Sequence, residues 1–278
     1  MKQTYPNESF DNRAHFQEMN DQKISLRDQV LDYVKGTYGT QIEYLWKDAP
    51  DYAVFRHEDN QKWYGIIMDV PRRRLGLIGD GIVDILDVKM DDPVLLDVLL
   101  HEAGYFPGWH MNHRNWISIV LDGTVAFAEI CDRIDASYMA TASKEEKFRL
   151  RPPKEWIVPS NPRYYDSVHM FDDTDTADWK QGRGIKAGDT VFLYVGVPVS
   201  AILYQCVVTE TDIPFDYTNG DLSISSLMKI RLQKRYDPSM FPLSALRTYG
   251  VSTVRGPRGL PDSLSKALRG ECPGFSKA

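Results

Sequence analysis

The sequence predicts a two-domain α+β protein. Its 278 residues are enough for about two domains of ordinary size. A charged segment with a Pro pair, residues 143–154, separates two stretches that each hold enough apolar residues for a core. The first stretch contains a helix, several strands and further helices, and the second is rich in strands with short helices near its end.

The first predicted domain, residues 24–142, begins with a helix and continues with strands. Leu26, Val30 and Val34 recur at helical spacing, and Gly36 is predicted to end the helix. Asp92-Pro93 suits the cap and first turn of another helix, through residue 100. The remaining predicted elements are strands at 52–56, 62–70, 74–78, 80–90 and 116–121, and a helix at 126–138.

The second predicted domain, residues 155–278, centres on two consecutive apolar strands. These strands, in GIKAGDTVFLYVG and VSAILYQCVV, are separated by a short turn and are predicted to pair antiparallel at the centre of a barrel. A first strand at 155–158 precedes them, followed by a polar loop that reaches Trp179. The predicted elements after them are a strand at 221–233 and helices at 242–249 and 262–268.

Composition and cysteine content predict a cytoplasmic protein with free thiols. Apolar residues make up 42% of the chain and charged residues 26%, the usual mixture of a globular protein. No apolar run approaches the roughly 20 residues of a membrane span, and residues 1–23 read as a flexible polar tail without a signal peptide. Cys131, Cys206 and Cys272 lie far apart without a CxxC pair, so neither disulfides nor a cysteine zinc site is expected.

Charge is distributed unevenly between the two domains. The net charge of the chain is −6. Residues 24–142 hold 11 Lys and Arg against 19 Asp and Glu, a balance of −8, whereas residues 143–278 hold 19 against 16, a balance of +3. Seven of these basic residues fall within residues 229–258, against Asp237 alone. A phosphate backbone would therefore be expected to contact the second domain.

No catalytic motif is recognisable in the sequence. GxSxG, HExxH and a glycine-rich phosphate loop are all missing, and the GRG at residues 182–184 is interpreted as a turn. His110 and His113 are three residues apart, but no third metal ligand is evident beside them. The sequence therefore predicts a non-catalytic protein without a metal or cofactor.

The first domain resembles the MmcQ/YjbR family over residues 24–142. The resemblance is carried by FRHEDNQKWYGIIMDV at 55–70, LDVKMDDP at 86–93 and FPGWHMNHRNWISIVLDG at 106–123. It implies a CyaY-like curved antiparallel sheet with flanking helices, and a DNA-binding role that the charge of −8 opposes. Arg72 to Arg74 are expected in a hairpin turn. The tryptophans of this domain, Trp63, Trp109 and Trp116, are expected mainly in the core.

The second domain resembles EVE domains, which are PUA-like β-barrels with short helices. The resemblance covers about residues 154–270 and is carried by EWIVPSNPRYYD at 155–166, WKQGRGIKAGDTVFLYVGVPVSAILYQCVV at 179–208 and YGVSTVRGPRGLPDSL at 249–264. It implies a pocket for one extruded base, often a modified one, between the barrel and the loop after the first strand. Such a pocket needs aromatic walls and a few hydrogen-bonding groups.

The resemblance assigns candidate residues to this base pocket and to a surface for the nucleic-acid backbone. Trp179 is the leading pocket residue, because an indole in a polar loop is expected to cover something. The alternatives are core packing for Trp156 and Tyr194, and a simple turn at Asn161 before a proline. The pocket candidates are Trp156, Ser160, Asn161, Tyr165, Trp179 and Tyr194. The backbone candidates are Lys180, Arg183, Arg235, Arg255 and Arg258, which could alternatively form a solvated strand face.

These observations predict a nucleic-acid-binding protein that holds a base of DNA or RNA, possibly modified. The alternative is an interaction module in which the acidic domain docks a protein partner and the barrel holds a small molecule. An enzyme acting on nucleic acid is a third possibility, without visible acid, base or metal groups. Salt separates the first two, because phosphate contacts weaken steeply as salt rises and a neutral ligand responds little.

Overall fold

A computed structural model describes residues 24–219 and 222–271. The chain divides after Leu150 into two compact units, here called the first and second units. The predicted tail at 1–23 and Cys272 lie outside the described residues, whereas Cys131 and Cys206 are buried free thiols as expected. No helix in the described part of the chain is both long and apolar enough to cross a bilayer.

Within residues 24–150, the first unit is a five-stranded antiparallel sheet with four α-helices. Its strands are β1 (Ala53–Arg56), β2 (Trp63–Pro71), β3 (Ile82–Lys89), β4 (Tyr105–Pro107) and β5 (Trp116–Val120). Its helices are α1 (Leu26–Tyr38), α2 (Pro93–Leu99), α3 (Phe127–Thr141) and α4 (Lys144–Leu150). The spatial order of the strands is β1-β2-β3-β5-β4, and every neighbouring pair is antiparallel.

The helices of the first unit begin and end where local chemistry allows. The Ser25 side chain accepts a hydrogen bond from an amide in the first turn of α1, and Gly39 closes that helix with a φ of 67°. The helix therefore passes Gly36, where the sequence predicted its end. Asp92 caps α2 through two backbone amides, with Pro93 in the first turn, as predicted.

The two faces of the first sheet are covered differently. On one face, apolar residues of α1 and α3, such as Val30 and Ile134, join Ile67, Leu86 and Ile119 of the strands in the main core. On the other face, a second cluster is formed entirely by strand, loop and 3-10 residues within the part of the chain that the structure describes. This helix-free face carries the aromatic residues considered below.

One predicted strand of the first unit is wrong, one strand was missed, and part of the predicted linker is helical. The predicted strand at 74–78 is a 3-10 helix, Arg72–Leu75, which ends at Gly76 with a φ of 69°. It lies in the hairpin connection between β2 and β3, where Arg72 to Arg74 were expected. The short strand β4 was missed, because three residues give no period. The predicted linker at 143–154 contains helix α4.

The second unit contains a six-stranded sheet and two short helices. Its strands are β6 (Glu155–Ser160), β7 (Thr176–Lys180), β8 (Thr190–Val195), β9 (Ala201–Asn219), β10 (Leu222–Arg235) and β11 (Arg258–Gly259), and its helices are α5 (Leu243–Thr248) and α6 (Asp262–Arg269). The order is β11-β6-β8-β9-β10-β7, with β6 and β8 parallel and the other pairs antiparallel. The predicted antiparallel pairing of β8 with β9 is confirmed.

The expected closed barrel is not formed by strand pairing among the described residues. β7 and β11 are the two edges of the sheet, and no ladder joins them. The turn after β7 nevertheless touches the segment before β11, since a Cβ on Gly182 would lie 2.8 Å from Cγ of Pro257. The sheet therefore curls until its two edges approach each other at this point.

Strand alternation divides the core of the second unit into two clusters. Val191, Leu193 and Val195 of β8 face one cluster, whereas Phe192 and Tyr194 face the other. The second of these clusters also contains apolar residues of α5 and α6. The face without these helices is called the loop face here, because Met170 and Phe171 of the loop at 161–175 pack against it.

Candidate functional site

The loop face collects four of the six predicted pocket residues. Trp156 and Ser160 occupy alternate positions of β6 that share the face of buried Val158. Trp179 packs against the same cluster from β7, and Tyr165 lies in the loop at 161–175. The fold thus brings residues that are up to 23 positions apart in sequence to the same face of the sheet and to the loop that covers it.

Trp179 and Tyr165 form an aromatic pair at this face. Their ring centroids are 5.4 Å apart and their planes meet at 88°. The side chain of Tyr165 is 45% exposed, and Trp179 is half-buried. Trp179 was expected in a loop but lies on edge strand β7, opposite Met228 of β10. Edge strand β7 has a polar, half-exposed sequence, TADWK, and therefore lacks the apolar alternation that indicates a strand.

Trp156 has a structural partner at its polar edge. Its Nε1 donates a 2.9 Å hydrogen bond to Oδ2 of buried Asp189. The same carboxylate accepts hydrogen bonds from the Arg151 guanidinium and from the backbone amides of Lys154 and Lys186. Burial opposes ionisation of Asp189, but these donors outweigh it and lower its pKa below the usual value. The indole N–H of Trp156 is therefore already used within the fold.

The other predicted pocket residues are placed differently from the expectation. Ser160 is buried, and its hydroxyl shares a hydrogen bond with that of Ser167. Asn161 is exposed and accepts a 3.0 Å hydrogen bond from the Arg163 amide, which is the turn arrangement considered as its alternative. Tyr194 is only 7% exposed and lies in the cluster on the opposite face, so the structure does not bring it to the other candidates.

Three of the predicted backbone arginines lie around Trp156. Arg258 belongs to β11, whose Gly259 pairs with Trp156, and Arg255 lies three residues before it. Arg258 itself pairs with Ile157, so its side chain leaves the sheet on the face opposite the loop face. Arg183 lies in the turn between Gly182, which touches Pro257, and Gly184, which neighbours the Trp156 ring. All three arginines are exposed.

The remaining two backbone candidates are engaged elsewhere. Arg235 forms an ion pair of 3.3 Å with Asp172, donates to the carbonyl of Phe171 and lies 5.6 Å from the ring centroid of Tyr204. Lys180, next to Trp179, donates a 2.9 Å hydrogen bond to the carbonyl of Ser223. Arg235 is thus mainly part of the packing of the loop at 161–175.

The first unit holds an aromatic cavity that the sequence analysis missed. This first-unit cavity has a volume of about 390 Å³ and opens on the helix-free face of the sheet. Its principal walls are Trp46, Tyr52, Trp63, Met68, Trp109 and Met111. Trp63 and Trp109 were expected in the core, but both are half-buried and line the cavity, while Trp116 is half-buried outside it.

Three separate segments supply the tryptophans of the first-unit cavity. Trp46 lies before β1, Trp63 begins β2, and Trp109 lies between β4 and β5. The Trp109 amide donates to Oγ of Ser118, whose hydroxyl in turn donates to Oδ1 of Asp87 at 2.5 Å. The next residue, His110, has a left-handed φ of 58° and also lines the cavity. Such a backbone conformation is uncommon in residues other than glycine, and it defines the turn that directly follows Trp109.

Asp87 is a fully buried carboxyl group on the cavity side of the sheet. Its strand partner in β2 is Ile66, a residue that lines the cavity. Burial raises the pKa of Asp87 to about 7, although the hydrogen bonds from Ser118 and the Trp109 amide act in the opposite direction. Oδ2 of Asp87 has no hydrogen-bond partner among the described residues.

Metal ligands do not converge in the described part of the chain. Residues 24–219 and 222–271 contain no group of three or more His, Cys, Asp or Glu side chains placed to hold an ion. His110 and His113, the pair considered from the sequence, are both exposed in the segment between β4 and β5.

Comparison with known proteins identifies the first unit. The YjbR family model matches residues 35–140. Uncharacterized protein YyaQ of Bacillus subtilis (strain 168) is 43% identical over 115 residues, which are 41% of this chain and 97% of YyaQ. The chain belongs to the YjbR family. The matched part is its YjbR domain, as the resemblance to MmcQ/YjbR proteins predicted.

Solved structures add two further similarities. A crystal structure of a Pseudomonas syringae protein is 40% identical, covers 42% of this chain and 98% of that protein, and has a TM-score of 0.41. The crystal structure of ASCH from Zymomonas mobilis is 9% identical, covers 42% of this chain and 94% of ASCH, and has a TM-score of 0.32. At these values neither similarity extends the family assignment beyond the YjbR domain.

Proposed function

We propose that the protein is a non-catalytic nucleic-acid-binding protein whose second unit is an EVE-type, PUA-like module. A single base of DNA or RNA would lie between the loop face and the loop at 161–175. The observation that carries this proposal is that Trp156 and Trp179 pack against the core cluster of the loop face, where Tyr165 of that loop contacts Trp179 and is 45% exposed.

The Trp179 and Tyr165 pair supplies the aromatic surface for the base. A base has two π faces, and each stacking contact with an aromatic ring contributes about 1 to 3 kcal/mol. Because the two ring planes are nearly perpendicular, one ring can stack on the base while the other contacts its edge. Trp156, fixed by Asp189, would support this arrangement from β6 and keep the fold rigid around it.

Arg183, Arg255 and Arg258 would contact the sugar-phosphate backbone. They are exposed, and they lie on the turn and the edge strand whose backbones neighbour Trp156. Guanidinium groups bind phosphate oxygens through two parallel hydrogen bonds, which positions a strand without reading its sequence. The balance of +3 in residues 143–278 favours this half of the chain for phosphate contact.

The decisive experiment compares oligonucleotide binding by the full chain and a Trp179→Ala variant. Fluorescence anisotropy would be measured with single- and double-stranded DNA and RNA, each with plain or methylated bases. Loss of one stacking wall is expected to weaken binding roughly 10-fold to 100-fold without changing thermal stability of the first unit. Trp46→Ala in the YjbR domain is the matched control and should retain wild-type affinity.

Unchanged affinity of Trp179→Ala would disprove the base site. An equal loss of oligonucleotide affinity in Trp179→Ala and Trp46→Ala would instead show that the base is not held specifically by Trp179. Circular dichroism of both variants would show whether the fold is retained, because Trp179 contributes to a partly buried edge strand.

A further inference from the structure

We propose that the first-unit cavity binds a methylated ammonium group, of the kind carried by a quaternary ammonium metabolite or a trimethylated lysine side chain. The cavity belongs to the YjbR domain and is separate from the base site proposed for the second unit. Its volume of about 390 Å³ is within the range of small-molecule sites.

Aromatic rings form most of the wall of this cavity. Trp46, Tyr52, Trp63 and Trp109 all line it, and Trp46 remains 39% exposed, so a ligand can reach the rings from solvent. The faces of tryptophan and tyrosine rings carry partial negative charge and attract cations. The attraction is most effective for a cation that loses little hydration free energy when it leaves water. Methylated ammonium groups hold their charge within an apolar shell and therefore suit such a wall.

The angles between the rings suit a compact cation. The Trp46 and Trp63 planes meet at 88° with centroids 5.9 Å apart, and the Trp46 and Tyr52 planes meet at 74° with centroids 6.0 Å apart. Rings set at right angles to one another can each contact a roughly spherical group placed between them, and a cation is attracted to the face of any ring within about 6 Å. The Trp46 contacts thus give the geometry of an aromatic cage.

Electrostatics of the YjbR domain also favours a cation. Residues 24–142 carry a balance of −8, and Asp48 lies on the cavity rim. Lys47 is the one lysine or arginine of the lining, and it is exposed, so its ammonium group can extend into solvent.

Choline and 3,3-dimethylbutan-1-ol provide a matched pair of probes. The two molecules have the same shape, but a neutral carbon replaces the charged nitrogen in the alcohol. The full chain contains six tryptophans, and its indole N–H resonances would be followed by NMR during titration. Choline should shift the resonances of Trp46, Trp63 and Trp109 saturably, while those of the three other tryptophans, Trp116, Trp156 and Trp179, should remain in place.

The charge of the ligand is expected to decide affinity. Choline should bind about tenfold more tightly than the alcohol. A peptide with trimethyllysine, titrated in parallel, would distinguish the sources of the group: tighter binding of the peptide indicates a protein ligand, and tighter binding of choline a free metabolite. Equal affinity for choline and the alcohol, or no choline-dependent shift at the three cavity indoles, would overturn the proposal.

Trp46→Leu tests the cage directly. Leucine retains apolar contact but removes the ring face, so choline affinity should fall about tenfold while affinity for the alcohol changes little. Tyr44→Ala changes an aromatic residue of the same segment that is 54% exposed and does not line the cavity, and it should bind choline like the wild type. An equal loss in both variants would contradict the cage.

Discussion

The Asp87 side chain places an ionisable group where water cannot reach it. It is fully buried in β3, and burial raises its pKa from 3.8 to about 7. Between about pH 4 and pH 7 the folded protein therefore holds a proton that the unfolded chain has released. The contribution of this group to stability is present at acidic pH and is lost as pH rises through about 7.

Asp87→Asn should remove this pH dependence. In the wild type, the free energy of unfolding of the YjbR domain should fall between pH 5 and 7 by up to about 1.4 kcal/mol per pH unit from this group. Urea unfolding at several pH values measures this slope. Asp80→Asn, at an exposed carboxyl in the connection from β2 to β3, is the control and should keep the wild-type slope. An unchanged slope in Asp87→Asn would show that Asp87 ionises freely in the fold.

Asp189 acts at the scale of elements, because it joins the starts of β6 and β8 to the turn between β7 and β8. Its carboxylate, fully buried, accepts from Arg151, from the Lys154 and Lys186 amides and from Trp156. Asp189→Ala would remove the acceptor that these donors share and the buried counter-ion of Arg151. Loss of one partner from such a pair costs about 3 to 5 kcal/mol.

In chemical denaturation of the full chain, the second unit of Asp189→Ala should therefore unfold at a much lower denaturant concentration than that of the wild type. Asp178→Ala, at an exposed carboxylate 3.9 Å from Lys229, should change stability by less than about 1 kcal/mol. Because the pKa of Asp189 is lowered, its stabilisation is present above the ordinary carboxyl pKa and disappears as pH falls below it. A stable Asp189→Ala variant would refute the structural role assigned to this carboxylate.

Elements with local signals could be predicted from the sequence, whereas elements defined by their neighbours could not. Helix α1 was predicted from its apolar spacing and helix α2 from the cap at Asp92, because these signals lie in or beside the segments themselves. Strands β4 and β7 are short or at an edge, and their identity depends on pairing with β5 and β10. Sequence periodicity does not record such pairing.

The candidate sites show the same difference between local and distant information. Trp156 and Ser160 share a face because they are four residues apart on one strand, which alternation predicts. The first-unit cavity instead combines Trp46, Trp63 and Trp109 from three segments. Trp46 is not part of a helical or strand pattern of apolar residues. Its place beside Trp63 and Trp109 in the cavity is therefore visible only once the strand register and the turn at His110 are known.

At the scale of the whole molecule, charge separates the two halves of the chain and gives the last prediction. If phosphate contacts come from the second unit, Arg255→Ala combined with Arg258→Ala should weaken oligonucleotide binding and reduce its salt dependence. Each lost phosphate contact removes about 0.7 to 0.9 from the slope of log affinity against log salt, so the double variant should lower the slope by about 1 to 2.

The control must change net charge equally without changing the edge strand. Lys144→Ala combined with Lys147→Ala removes two exposed cations from α4 of the first unit and should leave the slope at its wild-type value. Anisotropy titrations between about 50 and 300 mM salt would measure both slopes. Equal reductions would mean that overall charge, and not the arginines beside Trp156, governs binding. A wild-type affinity that does not respond to salt would instead favour a neutral ligand in the second unit, because only phosphate contacts release counterions.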